Sequence, residues 1–134
     1  MFELLEINED MATRFLKLKN LETGKFEECF DDSLVVSQEN FGFMKKNHCY
    51  NCKIKLFGKL VEENTDNALF CKIVNNEIYV GKKQMAEVVI GDSLYYIPKS
   101  RISNLRKNES FYFSCARKDL IQVDDVIHAD YLCE

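Results

Sequence analysis

The most recognisable chemical motif in the chain is the pair Cys49 and Cys52, which follows His48 with the spacing C-x-x-C. Such a pair can supply two of the four ligands of a zinc site, or it can form a redox-active dithiol. Cys52 falls inside a strand-like alternation, and residues three apart on a strand point to opposite faces. We therefore expect buried or half-buried free thiols, with a metal or redox role as the alternative. The remaining cysteines are scattered singly, at Cys29, Cys71, Cys115 and Cys133.

A second group of potential ligands lies near the C-terminal end, where Asp124 and His128 are four residues apart. On a helix these side chains would be neighbours and could share a metal ion or a proton. On a strand they would be ~13 Å apart, from four residues at ~3.3 Å each. The apolar alternation over 120–131 favours a strand with Asp125 as an irregularity, so we expect a hydrated outer face. The alternative is a catalytic or metal role that also uses Asp130.

An acidic cluster is formed by Glu27, Glu28, Asp31 and Asp32. Hard cations bind several carboxylates together, but this cluster lacks the spaced acidic loop with a central glycine that is typical of calcium sites. We therefore expect these four side chains to be hydrated surface charges.

The charge distribution is uneven along the chain. A formal net charge of −4 includes two basic segments. Residues 45–59 carry five basic side chains and no acidic one, and residues 99–118 carry six basic side chains and one acidic one. Charge blocks of this kind indicate a surface that meets an anionic partner.

Both basic segments also contain aromatic residues. Lysines neutralise phosphates and exposed rings stack on bases at ~1–3 kcal/mol each, which is the combination that binds single-stranded nucleic acid. Phe15, Lys17 and Lys19 would extend the surface if strand 13–19 lies alongside. The prediction requires that both segments meet on one face beside uncovered rings. The side chains expected to form this surface are Lys53, Lys55, Phe57, Lys59, Lys99, Arg101, Arg106 and Lys107, followed by the aromatic run 111–113.

Other interpretations of these residues stay open. Lysines on an outer strand face also keep a sheet soluble, and Phe57 could instead be covered by an identical or different subunit. The chain would then be a protein-interaction or structural domain in an oligomer. A third alternative is a metal-dependent enzyme that uses the Cys49 and Cys52 pair or the group around His128.

The elements that must position these residues are predominantly strands. Alternation predicts strands over 13–19, 25–31 and 50–60, with a bulge or kink at Gly58. Residues 69–97 predict a meander with turns at 75–77, 81–83 and 91–93, and 111–116 and 120–131 predict two further strands. Helical patterns are confined to 100–108 and to 32–46, the latter undecided between helix and strand. We predict one all-β domain over 1–134: a small antiparallel barrel, of the oligonucleotide-binding type as one alternative, or a sandwich with one or two short helical segments.

Composition excludes several classes of protein. A chain of 134 residues with 46% hydrophobic and 30% charged residues is neither disordered nor low in complexity. The first ten residues carry no positive charge and no long apolar run, and no window reaches the ~18 apolar residues of a membrane helix. Nucleophile elbows, phosphate-binding glycine loops and dinucleotide fingerprints are absent from the sequence. We therefore expect a non-catalytic cytoplasmic binding module with no cofactor and no membrane partner.

Overall fold

The computed structural model describes residues 1–10, 13–33, 40–62 and 68–133, and these form one hydrogen-bonded sheet of ten strands. Two short 3-10 helices follow strands at η1 (Lys99–Arg101) and η2 (Ala129–Tyr131). The all-β prediction is confirmed. The strands are β1 (Phe2–Asp10), β2 (Thr13–Asn20), β3 (Phe26–Asp31), β4 (Cys49–Tyr50), β5 (Cys52–Val61), β6 (Ala68–Val80), β7 (Lys83–Ile90), β8 (Ser93–Pro98), β9 (Ser110–Val123) and β10 (Val126–Ile127).

Five of the strands close into a barrel in the order β5-β8-β7-β6-β9, with β9 pairing back to β5. Strands β6, β7 and β8 form an antiparallel meander, and β9 returns to lie beside β6, which is a Greek key. Closure rests on a parallel bridge between Lys55 of β5 and Tyr96 of β8. The predicted small barrel is therefore confirmed, with this parallel contact as a departure from a purely antiparallel sheet.

The N-terminal strands extend the barrel wall on one side. They lie in the order β4-β1-β2-β3, and β3 joins the barrel through a parallel bridge from Phe30 to Asp119 of β9. The sheet is consequently continuous from β2 through β3 and β9 to β5. Side chains on its outer face can therefore form rows that cross all four strands.

Side-chain alternation decides which residues enter the core. In β2, Leu16 and Leu18 are fully buried while Phe15 points outward. In β5, Ile54 and Leu56 are buried and Phe57 is exposed. These are the faces that the sequence pattern predicts, because successive side chains on a strand point to opposite sides.

Gly58 marks the predicted bulge in β5. The pairing of β5 with β9 shifts register between Phe57 and Gly58. A Cβ atom on Gly58 would lie 1.8 Å from the carbonyl oxygen of Ser114, so only glycine lets the two backbones approach this closely. Beyond the bulge, β5 stays paired with β9 as far as Val61, in the shifted register.

Three sequence-based expectations about local structure are wrong. Strand β6 runs unbroken through 75–77, because the Asn75 side chain accepts the backbone N–H of Glu77 within a register shift rather than in a turn. The predicted strand over 120–131 ends at Val123, where Asp124 takes a φ of 51° in a tight turn. The predicted helix over 100–108 is reduced to η1 and irregular turns.

The undecided segment 32–46 is described only in part. Residues 34–39 lie outside the described ranges, and residues 40–43 form turns. The helical segment that favoured a barrel of the oligonucleotide-binding type is only η1, so that finer assignment stays a prediction. Within the described ranges, no helix combines the length and the apolar character needed to cross a membrane.

Candidate functional site

Three rings and one guanidinium form a continuous row on the outer face of the sheet. The row, called here the outer row, consists of Phe15 on β2, Phe30 on β3, Arg117 on β9 and Phe57 on β5. The rings of Phe15 and Phe30 have centroids 5.5 Å apart. The Arg117 guanidinium carbon lies 4.2 Å from the Phe30 ring and 4.7 Å from the Phe57 ring. Arg117 therefore lies between two aromatic faces, and both contacts are cation–π pairs.

Asp119 holds the guanidinium in this orientation. It lies two residues beyond Arg117 on the same strand face and accepts hydrogen bonds from Nε at 2.6 Å and from Nη2 at 3.3 Å. It also forms an ion pair of 3.6 Å with Lys55. A bidentate pair fixes the plane of the guanidinium. The ring of Phe57 stays 41% exposed at the end of the row.

A wide cleft begins next to the outer row. This lysine cleft has a volume of about 620 Å³ and takes its positive charge from Lys55, Lys83 and Lys99. Lys55 links the two features, because its ammonium nitrogen lies 5.7 Å from the Phe57 ring and 5.6 Å from the Tyr131 ring. The uncharged polar side chains that line the cleft are Gln84, Ser100, Ser103 and Tyr131, and one carboxylate, that of Asp130, is also present.

Tyr131 forms a wall of the lysine cleft and is positioned by η2. The backbone N–H of Lys82 donates to the Tyr131 carbonyl oxygen at 2.6 Å, which ties η2 to the turn after β6. Burial raises the pKa of the Tyr131 phenol, and the neighbouring Lys55 ammonium opposes that change. The phenol is therefore neutral at physiological pH and can donate a hydrogen bond.

Asp32, His128 and Asp130 form a cluster behind this wall, in a pocket of about 150 Å³. One ligand atom from each lies within 4.8 Å of the others, which is close to what a metal ion needs. The His128 ring, however, already uses both nitrogens. Nδ1 accepts the backbone N–H of Asp130 at 3.1 Å, so Nε2 carries the proton and donates to Asp32 at 2.7 Å. In this arrangement the imidazole has no lone pair for a metal, and it acts as a cap of η2.

Asp124 and His128 have different partners, and of the two only Asp124 has the hydrated position that the sequence predicts. Asp124 lies in the turn after β9, where its carboxylate accepts the backbone N–H of Asn51 at 2.8 Å. His128 is buried and pairs with Asp32 instead. The strand geometry assumed for this segment is wrong, because the chain reverses at Asp124 and Asp125.

Cys49 and Cys52 do not form a ligand pair with other groups in the described part of the chain. Cys49 is exposed and Cys52 is half-buried at the start of β5. Burial raises the pKa of the Cys52 thiol to about 12. A thiol of that pKa is neither a ready metal ligand nor a reactive nucleophile near neutral pH.

The acidic cluster at the end of β3 is only partly hydrated, contrary to expectation. Glu27 is buried and accepts hydrogen bonds from Tyr95 and Lys118. Asp31 is buried and pairs with Arg14 at 2.8 Å. These carboxylates are stabilised inside the protein because each has a cation or hydroxyl partner on another strand.

The predicted basic surface is assembled only in part. Lys55 and Phe57 adjoin, and Lys55 meets Lys99 across the lysine cleft. The other predicted side chains lie elsewhere: Lys53 over the Tyr96 ring at 5.6 Å, Lys59 exposed beyond the bulge, Arg101 exposed in η1, and Arg106 and Lys107 exposed in the loop before β9.

The aromatic run 111–113 does not supply stacking rings. Phe111 and Phe113 point into the barrel and are buried, because alternation along β9 directs odd-numbered residues inward there. Tyr112 points outward and packs against Phe70, with ring centroids 5.1 Å apart. Exposed stacking surface near Lys55 comes instead from Phe57.

Sequence reasoning did not identify Phe30, Lys83 and Tyr131 as parts of the site. Phe30 joins the row because β3 bonds to β9, a pairing that no local pattern encodes. Lys83 and Tyr131 reach the cleft through the turn contact between residues 82 and 131. These residues could have been found only from the order of the strands in the sheet, which local sequence patterns do not give.

Comparison with known proteins adds no assignment, since no family model, curated protein or solved structure matches the chain.

Proposed function

We propose that the protein is a non-catalytic module that binds an anionic partner carrying planar bases, with single-stranded nucleic acid as the partner class. The observation that carries the proposal is the position of Lys55, which lies between the outer row and the lysine cleft. Stacking surface and positive charge are therefore adjacent on one side of the sheet.

The two features have complementary roles. Exposed aromatic rings stack on bases at ~1–3 kcal/mol per base without reading sequence. Lys55, Lys83 and Lys99 can neutralise phosphates, and each neutralised phosphate on a single strand contributes about −0.7 to the slope of log K against log salt. Three such contacts predict a slope of about −2.

Neighbouring carboxylates limit the affinity. Asp119 pairs with both Arg117 and Lys55, and Asp130 lines the lysine cleft. The chain as a whole carries a formal charge of −4, so long-range attraction of a polyanion is weak. Binding should depend on contact at the site and should weaken with salt only at the modest slope of about −2.

The test is fluorescence anisotropy with a labelled single-stranded oligonucleotide over a series of salt concentrations. The variant Phe57→Ser with Lys83→Glu removes one ring and reverses one charge at the site. The matched control is Phe70→Ser with Lys72→Glu, which makes the same changes at two exposed residues of β6. The proposal predicts that the affinity for the oligonucleotide falls at least tenfold in the first variant and changes little in the control. Equal losses in the two variants would contradict it.

A second candidate function has its own supporting observation. An apolar groove of about 520 Å³ lies elsewhere on the barrel, and two of its side chains, Leu60 and Phe70, are well exposed. Exposed apolar patches of this kind mark protein interaction sites. The corresponding function is a protein-interaction domain that forms an oligomer. Sedimentation over a range of concentrations tests it, with a larger mass expected for the native chain than for Phe70→Ser.

A further inference from the structure

We infer that the lysine cleft is a subsite for a terminal phosphomonoester, the group found at the end of a nucleic-acid strand or on a free nucleotide. The inference deepens the proposed function and rests on it, since the outer row would hold the base that follows. The stacking contacts alone do not define which chemical group occupies the cleft, and a phosphomonoester would fill that role.

The charge of the cleft fits a dianion. Lys55, Lys83 and Lys99 supply three positive charges and Asp130 supplies one negative charge, so the lining carries a net charge of +2. A phosphomonoester carries about −1.5 to −2 at pH 7, because its second pKa is about 6. An internal phosphodiester carries only one negative charge. The terminal group therefore matches the cleft better than a phosphate within a strand.

The ammonium groups keep donors available for a ligand. Each has three N–H donors. Lys99 uses one on the carbonyl oxygen of Leu105 at 3.2 Å. Lys55 is held by Asp119 and Tyr131. The ammonium group of Lys83 has no ion-pair or hydrogen-bond partner among the described residues, and the residue is half-buried at the edge of the cleft.

Hydroxyl groups complete the donor set. Ser100 and Ser103 line the same cleft, and the neutral phenol of Tyr131 forms its wall. Ammonium donors beside hydroxyl donors suit the several acceptor oxygens of a phosphomonoester. The volume of about 620 Å³ also lies within the range of small-ligand sites, so a phosphate and its sugar fit.

The position of the cleft determines how a bound ligand would be oriented. Lys55 separates the cleft from Phe57, with its ammonium 5.7 Å from that ring. A terminal phosphate at Lys83 and Lys99 would thus place the attached nucleoside toward the outer row. Recognition of an end would follow, because only a chain end offers the doubly charged group.

The experiment compares three oligonucleotides of one sequence, bearing a 5′-phosphate, a 3′-phosphate or no terminal phosphate. We expect one of the phosphorylated strands to bind about tenfold more tightly than the unphosphorylated strand. Lys83→Gln with Lys99→Gln should remove this difference. Lys46→Gln with Lys72→Gln should preserve it, because these lysines are exposed and do not line the cleft.

A second measurement distinguishes the source of the phosphate. Amide chemical shifts of Lys83, Ser100 and Ser103 are followed during titration with a nucleoside 5′-monophosphate and with the same nucleoside alone. Shifts with the monophosphate only, and no oligonucleotide binding, would support the subsite with a free nucleotide as ligand and overturn the nucleic-acid proposal.

Two outcomes would overturn the subsite. Equal affinities for the three oligonucleotides, still reduced by Phe57→Ser, would reject the subsite and leave the proposed function standing. The absence of both oligonucleotide binding and monophosphate-dependent shifts would reject the subsite and the proposed function together.

Discussion

Phe57 and Arg117 lie opposite each other in the antiparallel pair β5 and β9, with the guanidinium carbon 4.7 Å from the ring centroid. The bulge at Gly58 follows immediately, and Phe30 covers the other face of the guanidinium at 4.2 Å. This relationship brings together three strands that are far apart in sequence. It packs the exposed ring of Phe57 against a charged side chain of the neighbouring strand.

Arg14 and Asp31 form a buried ion pair between β2 and β3 that should contribute strongly to the stability of the protein. Arg14 Nε donates to Asp31 at 2.8 Å, and Nη2 donates to the carbonyl oxygen of Phe41 at 2.6 Å. Asp31→Asn would leave a buried guanidinium without its counter-charge, so we expect a loss of about 3–5 kcal/mol in the free energy of unfolding, measured with urea. Glu22→Gln, at an exposed ion pair with the N-terminus, should cost at most about 1 kcal/mol. If the two substitutions lowered the free energy of unfolding by similar amounts, the buried ion pair would not be needed for stability.

Gly81 should be far less tolerant of a side chain than Gly91, although both have positive φ values, of 58° and 63°. A Cβ on Gly81 would lie 2.2 Å from the Tyr131 carbonyl oxygen, whereas a Cβ on Gly91 would have nothing within 4 Å. Gly91→Ala should cost about 1–2 kcal/mol for its backbone conformation. Gly81→Ala should cost clearly more and should displace Tyr131 from the lysine cleft. Urea unfolding measures the difference, and equal midpoints for the two variants would contradict the docking of η2.

The cysteines should differ sharply in reactivity. Burial raises the pKa values of Cys52 and Cys71 to about 12, while Cys49 and Cys133 are exposed. Alkylation of the native protein at pH 8, read by mass spectrometry of peptides, should modify Cys49 and Cys133 and spare the other two. Labelling of Cys52 as fast as Cys49 would be inconsistent with its burial.

The same thiols should make stability depend on alkaline pH. An unfolded thiol ionises near its ordinary pKa of 9.0, whereas Cys52 in the folded chain ionises near 12. The unfolded state therefore releases the proton first, and the contribution of Cys52 to the free energy of unfolding should decrease between about pH 9 and pH 12. Cys52→Ala should reduce this part of the pH dependence in urea titrations. If the free energy of unfolding of Cys52→Ala depended on pH as steeply as that of the native protein, the raised pKa of Cys52 would be contradicted.

His128 should occupy the tautomer with the proton on Nε2. The hydrogen bonds to Asp130 and Asp32 require this form. Long-range proton–nitrogen correlation spectra should show the Nε2–H tautomer, and equimolar zinc should leave the His128 signals unchanged. Asp125→Asn serves as a control that removes a nearby exposed carboxylate outside the cluster. A zinc-induced shift that disappears in Asp32→Asn would establish a metal site there instead.

Local patterns predicted much of the fold because they depend on neighbouring residues. The alternation of Leu16, Leu18, Ile54 and Leu56 identified the buried faces of β2 and β5, and Gly58 identified the bulge. The turn expected at Asn75 was wrong because asparagine also fits a strand irregularity, where its side chain satisfies a nearby N–H.

The candidate site was less predictable because it depends on strand order. The outer row joins residues 15, 30, 57 and 117, and it exists only because β3 pairs with β9. Glu27 and Asp31 are buried beside partners that lie far away in sequence, at Lys118 and Arg14. Charge patterning found Lys55 and Lys99, but it could not show that Phe111 and Phe113 face inward.

The central claim is that bases stack at the exposed end of the outer row, and the absence of tryptophan from the chain makes it directly measurable. Phe57→Trp places the single indole of the chain beside Arg117, where it can be excited selectively, and Phe70→Trp places one on the exposed face of β6 as a matched control. An indole stacked on a base is quenched. A single-stranded oligonucleotide should quench the Phe57→Trp protein saturably, an abasic strand of equal length should quench it much less, and the Phe70→Trp protein should change little. Equal quenching by the abasic strand, or quenching of the Phe70→Trp protein alone, would contradict the account.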